Sequence, residues 1–216
     1  MEDLVWEKLI YVIYCALFYH LRFKLFILIL KETFSERKIE SIAKARGLSW
    51  EDALARIQLK TPAWTSQQES DLDEVCSSIG NSSDSKVKLL IIDSMTFHYK
   101  GEYAERSRLA ERASKFNIYM NKLHRLAVTK KIAVVITNHA TSQPDENLRY
   151  GIAKPFGGSI ISHASRYIIN LAGKASSSLR ATLTKSPIKG PQTLQIFIDD
   201  CGFYDARNTY IAEEND

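Results

Sequence analysis

The stretch that decides the fold is Lys88-Leu89-Leu90-Ile91-Ile92-Asp93-Ser94, an apolar run that ends in an acidic residue. A second run of the same kind lies downstream, Ile132-Ala133-Val134-Val135-Ile136-Thr137-Asn138-His139. Continuous apolar runs of this length are typical of strands buried on both faces of a parallel sheet. In open parallel sheets, ligands bind outside the carboxyl ends of the strands. The two runs therefore predict an α/β fold with a nucleotide site where Asp93, Asn138 and His139 follow their strands.

The phosphate cradle that normally accompanies such a site is missing from the sequence. A P-loop has the pattern Gly-x-x-x-x-Gly-Lys-Ser/Thr, because backbone N–H groups and a lysine must neutralise the triphosphate. Before Asp93 the only glycines are Gly47 and Gly80, and neither begins that pattern. The sequence therefore predicts a strand that ends in an acidic residue but lacks the P-loop that usually accompanies it.

The composition sets broad limits on fold and environment. The chain has 216 residues, of which 45% are hydrophobic and 25% charged, so we expect one domain spanning residues 1–216 with a substantial core. The net charge of +4 permits contact with nucleic acid without demanding it. Cys15, Cys76 and Cys201 are far apart and form no Cys-x-x-Cys pair, so neither a zinc site nor a disulfide framework is indicated. A reducing cytoplasm fits best.

The N-terminal segment is apolar enough to resemble a membrane span. Leu9 to Tyr19 is an uninterrupted apolar run, but a histidine, an arginine and a lysine interrupt the sequence directly after it. The run falls short of the roughly twenty residues that cross a bilayer, and no signal-peptide cleavage pattern follows it. We expect a helix from Leu4 to His20 and a buried strand from Lys24 to Leu30, and no membrane anchor.

The remaining elements follow from periodicity, caps and turn residues. The predicted helices are Ser35–Ala45 with a stop at Gly47, Ser49–Arg56, Asp71–Ile79 and Ala104–Thr129; the predicted strands are Val87–Ile92, Ile132–Thr137, Arg166–Leu171, Leu179–Thr184 and Thr193–Ile198. The last two strands suggest a hairpin.

The helix Ala104–Thr129 carries the clearest apolar stripe. The stripe comprises Leu109, Ala113, Phe116, Met120, Leu123 and Ala127. Arg108, Lys115 and Lys122 lie on another face, where a solvated helix surface is favoured over a track for nucleic acid. The polar stretch Ala140–Gly158 is long for a passive connection, and long loops beside a ligand-binding edge tend to be functional.

Several segments, in this order, resemble the RecA-type recombinase core of archaea and eukaryotes. Leu90-Ile-Ile-Asp93-Ser94 is similar to that family's Walker B segment, and Val134-Val-Ile-Thr-Asn138 to the strand before its first DNA-binding loop. Pro155–Ser165 resembles the end of the second loop. Upstream, Glu32–Arg37 resembles the segment Glu-Gly-Thr-Phe-x-x-Glu-Arg, and downstream Asp199–Phe203 resembles the last strands.

The resemblance covers roughly residues 20 to 205, and the lack of a helix-hairpin-helix domain points to short archaeal paralogues of the RadB type, with RadA-like paralogues as close competitors. It implies a RecA-like P-loop NTPase core, with a mostly parallel twisted sheet, helices on both faces and an antiparallel C-terminal hairpin. On this alignment the chain is truncated at its N-terminus, where the Walker A region is absent. The implied cofactors are ATP and Mg²⁺. The implied partners are single- or double-stranded DNA, a main recombinase of the RadA type and further copies of the chain.

By the same resemblance, Asp93 with Ser94 would bind nucleotide, and Asp93 would hold Mg²⁺ through water, since hard cations prefer carboxylate oxygen. Glu32 is similar to the catalytic glutamate that orients the attacking water, although the residues before it depart from the family pattern. Asn138 and His139 stand where the family has Asn-Gln, which senses the γ-phosphate. The alternatives are an acid at a strand end for Asp93, a surface glutamate for Glu32 and a structural histidine for His139.

The loop after this position supplies the DNA-binding residues that the resemblance implies, which are Arg149, Lys154, Gly157 and Gly158. Two bases give a modest electrostatic contact, and glycine lets backbone approach a phosphate closely. Tyr150 or Phe156 could stack on a base or simply pack the loop.

The expected function is therefore homologous recombination and DNA repair, as a RadB-like accessory protein. Whether the chain is an enzyme stays open, because the family is a DNA-dependent ATPase whereas this sequence lacks the Walker A motif. One alternative is an active ATPase whose start codon is misassigned. Another is a KaiC-like or other RecA-fold regulatory module that binds protein rather than DNA.

Overall fold

The computed structural model describes residues 24–29, 34–80, 87–139, 155–173, 178–199 and 201–204. Their contacts divide them into two compact units. The first unit takes its described residues from 33–57 and 166–216, and the second from 24–32 and 58–165. The helix expected at Leu4–His20 lies outside the described residues.

The first two thirds of the chain contain both helices and strands, and strands predominate afterwards. The helices are α1 (Glu36–Ala45), α2 (Trp50–Ala55), α3 (Thr65–Gly80), α4 (Phe97–Glu102), α5 (Leu109–Lys130) and α6 (Gly158–Ala164), with a 3₁₀ turn at Arg106–Arg108. The strands are β1 (Lys24–Ile29), β2 (Ile57–Lys60), β3 (Val87–Asp93), β4 (Ala133–Ile136), β5 (Ile168–Ala172), β6 (Ser178–Lys185), β7 (Gln192–Asp199) and β8 (Gly202–Tyr204).

The parallel sheet has the order β2-β1-β3-β4. Strand β3 pairs in parallel with β1 on one side and with β4 on the other. Leu90, Ile91 and Ile92 are fully buried, as expected for a strand covered on both faces. The parallel α/β arrangement predicted from the two apolar runs is therefore confirmed.

The core of the second unit is formed by α3, α5 and the strands of the parallel sheet. Helix α5 contributes Phe116, Tyr119, Met120, Leu123 and Leu126, and α3 contributes Leu72, Val75 and Ile79. The helix predicted from Ala104 begins five residues later, because the 3₁₀ turn precedes it. Leu109 is 43% exposed, so its place in the predicted apolar stripe was wrong.

Helix α3 begins at Thr65 rather than at Asp71 as predicted. Its first turn buries polar side chains, Thr65 and Gln68, which a hydropathy pattern assigns to the surface. The short elements β2, α4, α6 and β8 were not predicted.

In the first unit, α1 ends as the sequence predicted. Gly47 has a φ of 67°, in the left-handed region that favours glycine. The N–H of Leu48 donates to the carbonyl of Ala43 at 2.9 Å, and the N–H of Gly47 to that of Lys44 at 3.1 Å. This pattern caps the free carbonyls of the helix end.

The same unit contains an antiparallel sheet with the order β5-β6-β7-β8. The predicted hairpin is its central pair, β6 and β7, in which Leu179 lies opposite Ile196. Leu179, Ile196 and Ile198 form its small apolar cluster. The C-terminal part is thus larger than the predicted hairpin, since β5 and β8 extend it on both sides.

Within the described ranges, no helix has the length and apolar character needed to cross a membrane.

Candidate functional site

The candidate site lies where β3 and β4 end side by side. The two strands run in parallel with Ile92 opposite Ile136, so Asp93 and Thr137 come next to each other at the carboxyl edge. The N–H of Thr137 donates to the carbonyl of Ile92 at 3.0 Å, and the N–H of Met95 donates to the carbonyl of Thr137 at 3.2 Å. The backbone therefore stays paired past the end of the sheet, which fixes the position of both side chains.

The carboxylate of Asp93 is held by the hydroxyl of Thr137. Thr137 Oγ1 donates to Asp93 Oδ1 at 2.5 Å, and Thr137 is buried while Asp93 is partly exposed. A short hydrogen bond to a carboxylate is among the stronger ones in proteins and restricts its orientation. The sequence analysis missed Thr137 as a site residue, although a hydroxyl at the end of a strand beside an acidic strand end was a usable signal.

Asn138 connects two other segments through its side-chain amide. Its Oδ1 accepts a hydrogen bond from Thr96 Oγ1 at 2.8 Å, and its Nδ2 donates to the carbonyl of Phe156 at 2.7 Å. The carbonyl of the next residue, His139, accepts the N–H of Phe156 at 2.9 Å. The two residues predicted to sense phosphate therefore also hold the turn that precedes α6.

That turn is anchored to α5 by Phe156. The ring of Phe156 meets the ring of Phe116 edge to face, with centroids 6.3 Å apart, and the Arg112 guanidinium lies 4.6 Å above its centroid. Phe156 is partly buried against the core, which favours packing over base stacking for this residue.

The two glycines of the turn differ in their surroundings. Gly157 has a φ of 81°, and a Cβ added there would lie 2.7 Å from Ile161 Cδ1 and 3.1 Å from Phe116 Cε2. Gly158 has a φ of 56°, but no described atom lies within 4 Å of the corresponding position. Close packing inside the protein thus explains glycine at 157, whereas Gly158 has open space on which a ligand could approach.

Two buried polar residues lie beneath the site. Gln68, on α3, donates from Nε2 to the carbonyl of Met95 at 3.1 Å and so ties that helix to the end of β3. Ser94, predicted to bind nucleotide, is only 3% exposed, and its hydroxyl has no hydrogen-bond partner within the described part of the chain.

The structure thus brings together six of the predicted site residues at one edge of the sheet: Asp93, Ser94, Asn138, His139, Gly157 and Gly158. Glu32, Arg149 and Lys154 lie outside the described residues. Their roles, like the ligand-binding roles of the other six, stay predictions.

The side chains at this edge of the sheet can be compared with the needs of the two implied cofactors, Mg²⁺ and ATP. A single partly exposed carboxylate, Asp93, suits Mg²⁺, which keeps most of its water shell and takes one or two protein oxygens. No group of three or more His, Cys, Asp or Glu side chains in the described ranges could hold a metal ion. The sequence contains no Gly-x-x-x-x-Gly-Lys-Ser/Thr pattern, so no described residue is assigned as a cradle for the triphosphate of ATP.

Two lysines of α5 are paired with carboxylates. Lys115 Nζ lies 3.0 Å from both carboxylate oxygens of Glu69, and Lys122 Nζ lies 2.6 Å from Asp73 Oδ1. The Tyr99 hydroxyl also donates to Glu69, at 2.9 Å, and burial of the ring raises the pKa of Tyr99 well above its usual range. Lys115 and Lys122 were predicted to lie on a solvated helix surface, and the structure adds that both are paired with carboxylates there.

A comparison with protein families gives a match to a family model described as Rad51, over residues 24–206. The match begins at β1 and ends beyond β8, so it includes the whole of the carboxyl-edge site.

Proposed function

The chain belongs to the Rad51 family, and on that premise we propose that it serves homologous recombination and DNA repair as a RadB-like accessory protein of archaeal type. The family comprises RecA-type recombination and repair proteins. Our proposal adds that the chain acts in the cytoplasm, binds DNA weakly by itself, and assists a main recombinase of the RadA type or further copies of itself.

One observation carries the proposal, namely that Phe156, which lies shortly after the sequence segment 140–154, is hydrogen-bonded to the residues that follow β4. Asn138 Nδ2 donates to the carbonyl of Phe156. A ligand beside Asp93 would therefore lie near the hydrogen bonds that hold Phe156, which is close in sequence to the segment to which the DNA contacts are assigned. A DNA-binding segment that responds to nucleotide requires such a link between the two sites.

The DNA contact itself is assigned to Arg149 and Lys154 from the sequence, with Gly158 as the open backbone position. Two phosphate contacts on a single strand predict that the logarithm of the binding constant falls with the logarithm of salt concentration with a slope of about −1.4. Binding by one copy should therefore be weak and sensitive to salt. Several copies in series, or a recombinase partner, would multiply such contacts.

The experiment is a titration of labelled single-stranded and double-stranded oligonucleotides with the protein, followed by fluorescence anisotropy at several salt concentrations. The double variant Arg149→Ala with Lys154→Ala should lose binding. The matched control removes two exposed lysines of the C-terminal sheet, Lys185→Ala with Lys189→Ala, and should retain it.

Equal loss in both double variants would show a diffuse charge effect and refute the assignment to the loop. If the wild-type chain retains neither kind of DNA at low salt, a RecA-fold module that binds protein becomes the better description.

We further expect no appreciable ATP hydrolysis by this polypeptide alone. The lysine and the amide cradle supply much of the electrostatic stabilisation in phosphoryl transfer, and the sequence has neither in the required pattern. Phosphate release at the same rate by the wild type and by Asp93→Asn is the expected result. A rate that depends on Asp93 would refute this expectation. The alternative of a misassigned start codon is tested separately, by looking for a Walker A motif encoded in frame upstream of Met1.

A further inference from the structure

Thr96 uses its hydroxyl in an unusual way for its position. It is the N-cap residue of α4 and is 1% exposed, yet its side chain makes no hydrogen bond to the N–H groups of that helix. A threonine at an N-cap ordinarily accepts such a bond. Here Oγ1 instead donates to Asn138 Oδ1 at 2.8 Å, across to the segment that follows β4.

The carbonyl of Phe156, which can only accept, selects the orientation of the Asn138 amide, and the Thr96 hydroxyl holds the amide in that orientation. An amide side chain has an acceptor end and a donor end, and only one orientation satisfies both neighbours. With Oδ1 on the Thr96 hydroxyl, Nδ2 donates to the carbonyl of Phe156. The flipped amide would place Oδ1 against that carbonyl, where two acceptors repel each other.

The hydrogen bond between Thr96 and Asn138 is linked, through the Asn138 amide, to Phe156 in the turn before α6. Phe156 is held by its carbonyl to Asn138, by its N–H to His139 and by its ring to Phe116. Of the two hydrogen bonds among these attachments, only the one to the carbonyl of Phe156 involves a side chain. It is therefore the hydrogen bond that a substitution can remove.

We propose that Thr96 is a positioning residue that holds the Asn138 amide in place and thereby holds Phe156, and the turn before α6, to the carboxyl edge of the sheet. Thr96 lies three residues after Asp93, so a ligand that shifts the end of β3 moves the Thr96 hydroxyl with it. The expected effect on DNA binding rests on the proposed function. The positioning of Asn138 and Phe156 by Thr96 does not.

The test is amide hydrogen exchange, measured residue by residue by NMR on the full chain. Thr96→Val keeps the shape of the side chain and removes the donor, whereas Thr96→Ser keeps the donor. The loss of one intramolecular hydrogen bond corresponds to about a threefold to tenfold faster exchange of the Phe156 amide. Thr96→Ser should exchange like the wild type, and the amide of Leu123 within α5 should be unchanged in all variants.

A second variant on the other side of the bond keeps the inference testable if Thr96→Val fails to fold. Asn138→Ala should accelerate exchange at Phe156 at least as much, because it removes the bond to the Phe156 carbonyl itself, and combining it with Thr96→Val should add nothing, because Thr96 acts through Asn138. Additive effects, unchanged exchange at Phe156, or acceleration that includes Leu123 would each overturn the proposal.

The DNA titration completes the experiment. Thr96→Val should bind single strands more weakly than Thr96→Ser by about the same factor as its exchange increases, and equal binding by the two would refute the link to DNA. If the wild type binds no DNA, the proposed function fails, while the exchange data still decide whether Thr96 positions Asn138.

Discussion

Replacing Gly157 with alanine should destabilise the protein in two separable ways. The backbone at this residue has a φ of 81°, which costs an L-residue about 1–2 kcal/mol. The added Cβ would also lie 2.7 Å from Ile161 Cδ1, and forcing a methyl group into packed surroundings costs about 1–3 kcal/mol. The free energy of unfolding should therefore fall by about 2–5 kcal/mol.

Gly158→Ala is the matched control. Its φ of 56° imposes a similar conformational cost, but no described atom lies within 4 Å of the new methyl group, so a loss of about 1–2 kcal/mol is expected. Urea unfolding followed by circular dichroism, with equal m-values, gives both numbers. Equal destabilisation of the two variants would refute the packing argument.

A third variant identifies the atom responsible. Ile161→Val removes Cδ1, the group nearest to the added methyl, and alone should cost about 0.5–1.5 kcal/mol. Combined with Gly157→Ala it should recover part of the clash, so that the double variant is more stable than the sum of the single losses predicts. Strict additivity would place the conflict elsewhere.

Three further predictions concern single side chains. Tyr99→Phe removes the hydroxyl that donates to Glu69 and should lower the free energy of unfolding by about 1–2 kcal/mol at neutral pH. Burial raises the pKa of Tyr99 above its ordinary 10.0, so the wild type should lose about 1.4 kcal/mol per pH unit above that value as the unfolded tyrosine ionises, and urea midpoints should fall less steeply with pH in the variant. Thr137→Val removes the donor to Asp93 and should cost about 1.5–3 kcal/mol in urea unfolding, whereas Thr137→Ser should not; equal losses would contradict the role of the hydroxyl. Burial raises the pKa of the Cys76 thiol, so alkylation at neutral pH, measured by mass spectrometry, should be slower than in a free cysteine peptide, and equal rates would count against the buried thiol.

The sequence predicted the elements whose burial follows a simple pattern. Strand β3 is apolar at every position from Leu89 to Ile92 and could hardly lie anywhere but between two neighbours. The end of α1 was equally clear, because Gly47 has no side chain to oppose a left-handed turn. Local chemistry was sufficient in both cases.

Elements that depend on distant partners were missed. Strand β2 has four residues and no apolar run, and its assignment as a strand depends on its place beside β1. The first turn of α3 buries Gln68, which only becomes favourable because Met95 offers a carbonyl to its amide. Tertiary contacts of this kind leave no periodic signal in the sequence.

The candidate site was predicted in part for the same reason. Strand ends point to Asp93 and Asn138 directly, since parallel strands present their carboxyl ends together. Thr96 and Thr137 were missed as participants, because a threonine is common in strands and turns and becomes informative only when its hydrogen-bond partner is known.

The pairing of β1 with β3 also bears on how the chain is made. Lys24 lies opposite Val87, so β1 leaves the ribosome about sixty residues before its neighbour on that side. At about 5–20 residues per second, several seconds pass before the strand Lys-Leu-Phe-Ile-Leu-Ile can find that partner. Collapse of a short chain takes far less time. Until β3 is made, the nascent protein can therefore pair this apolar strand on one side at most, with β2.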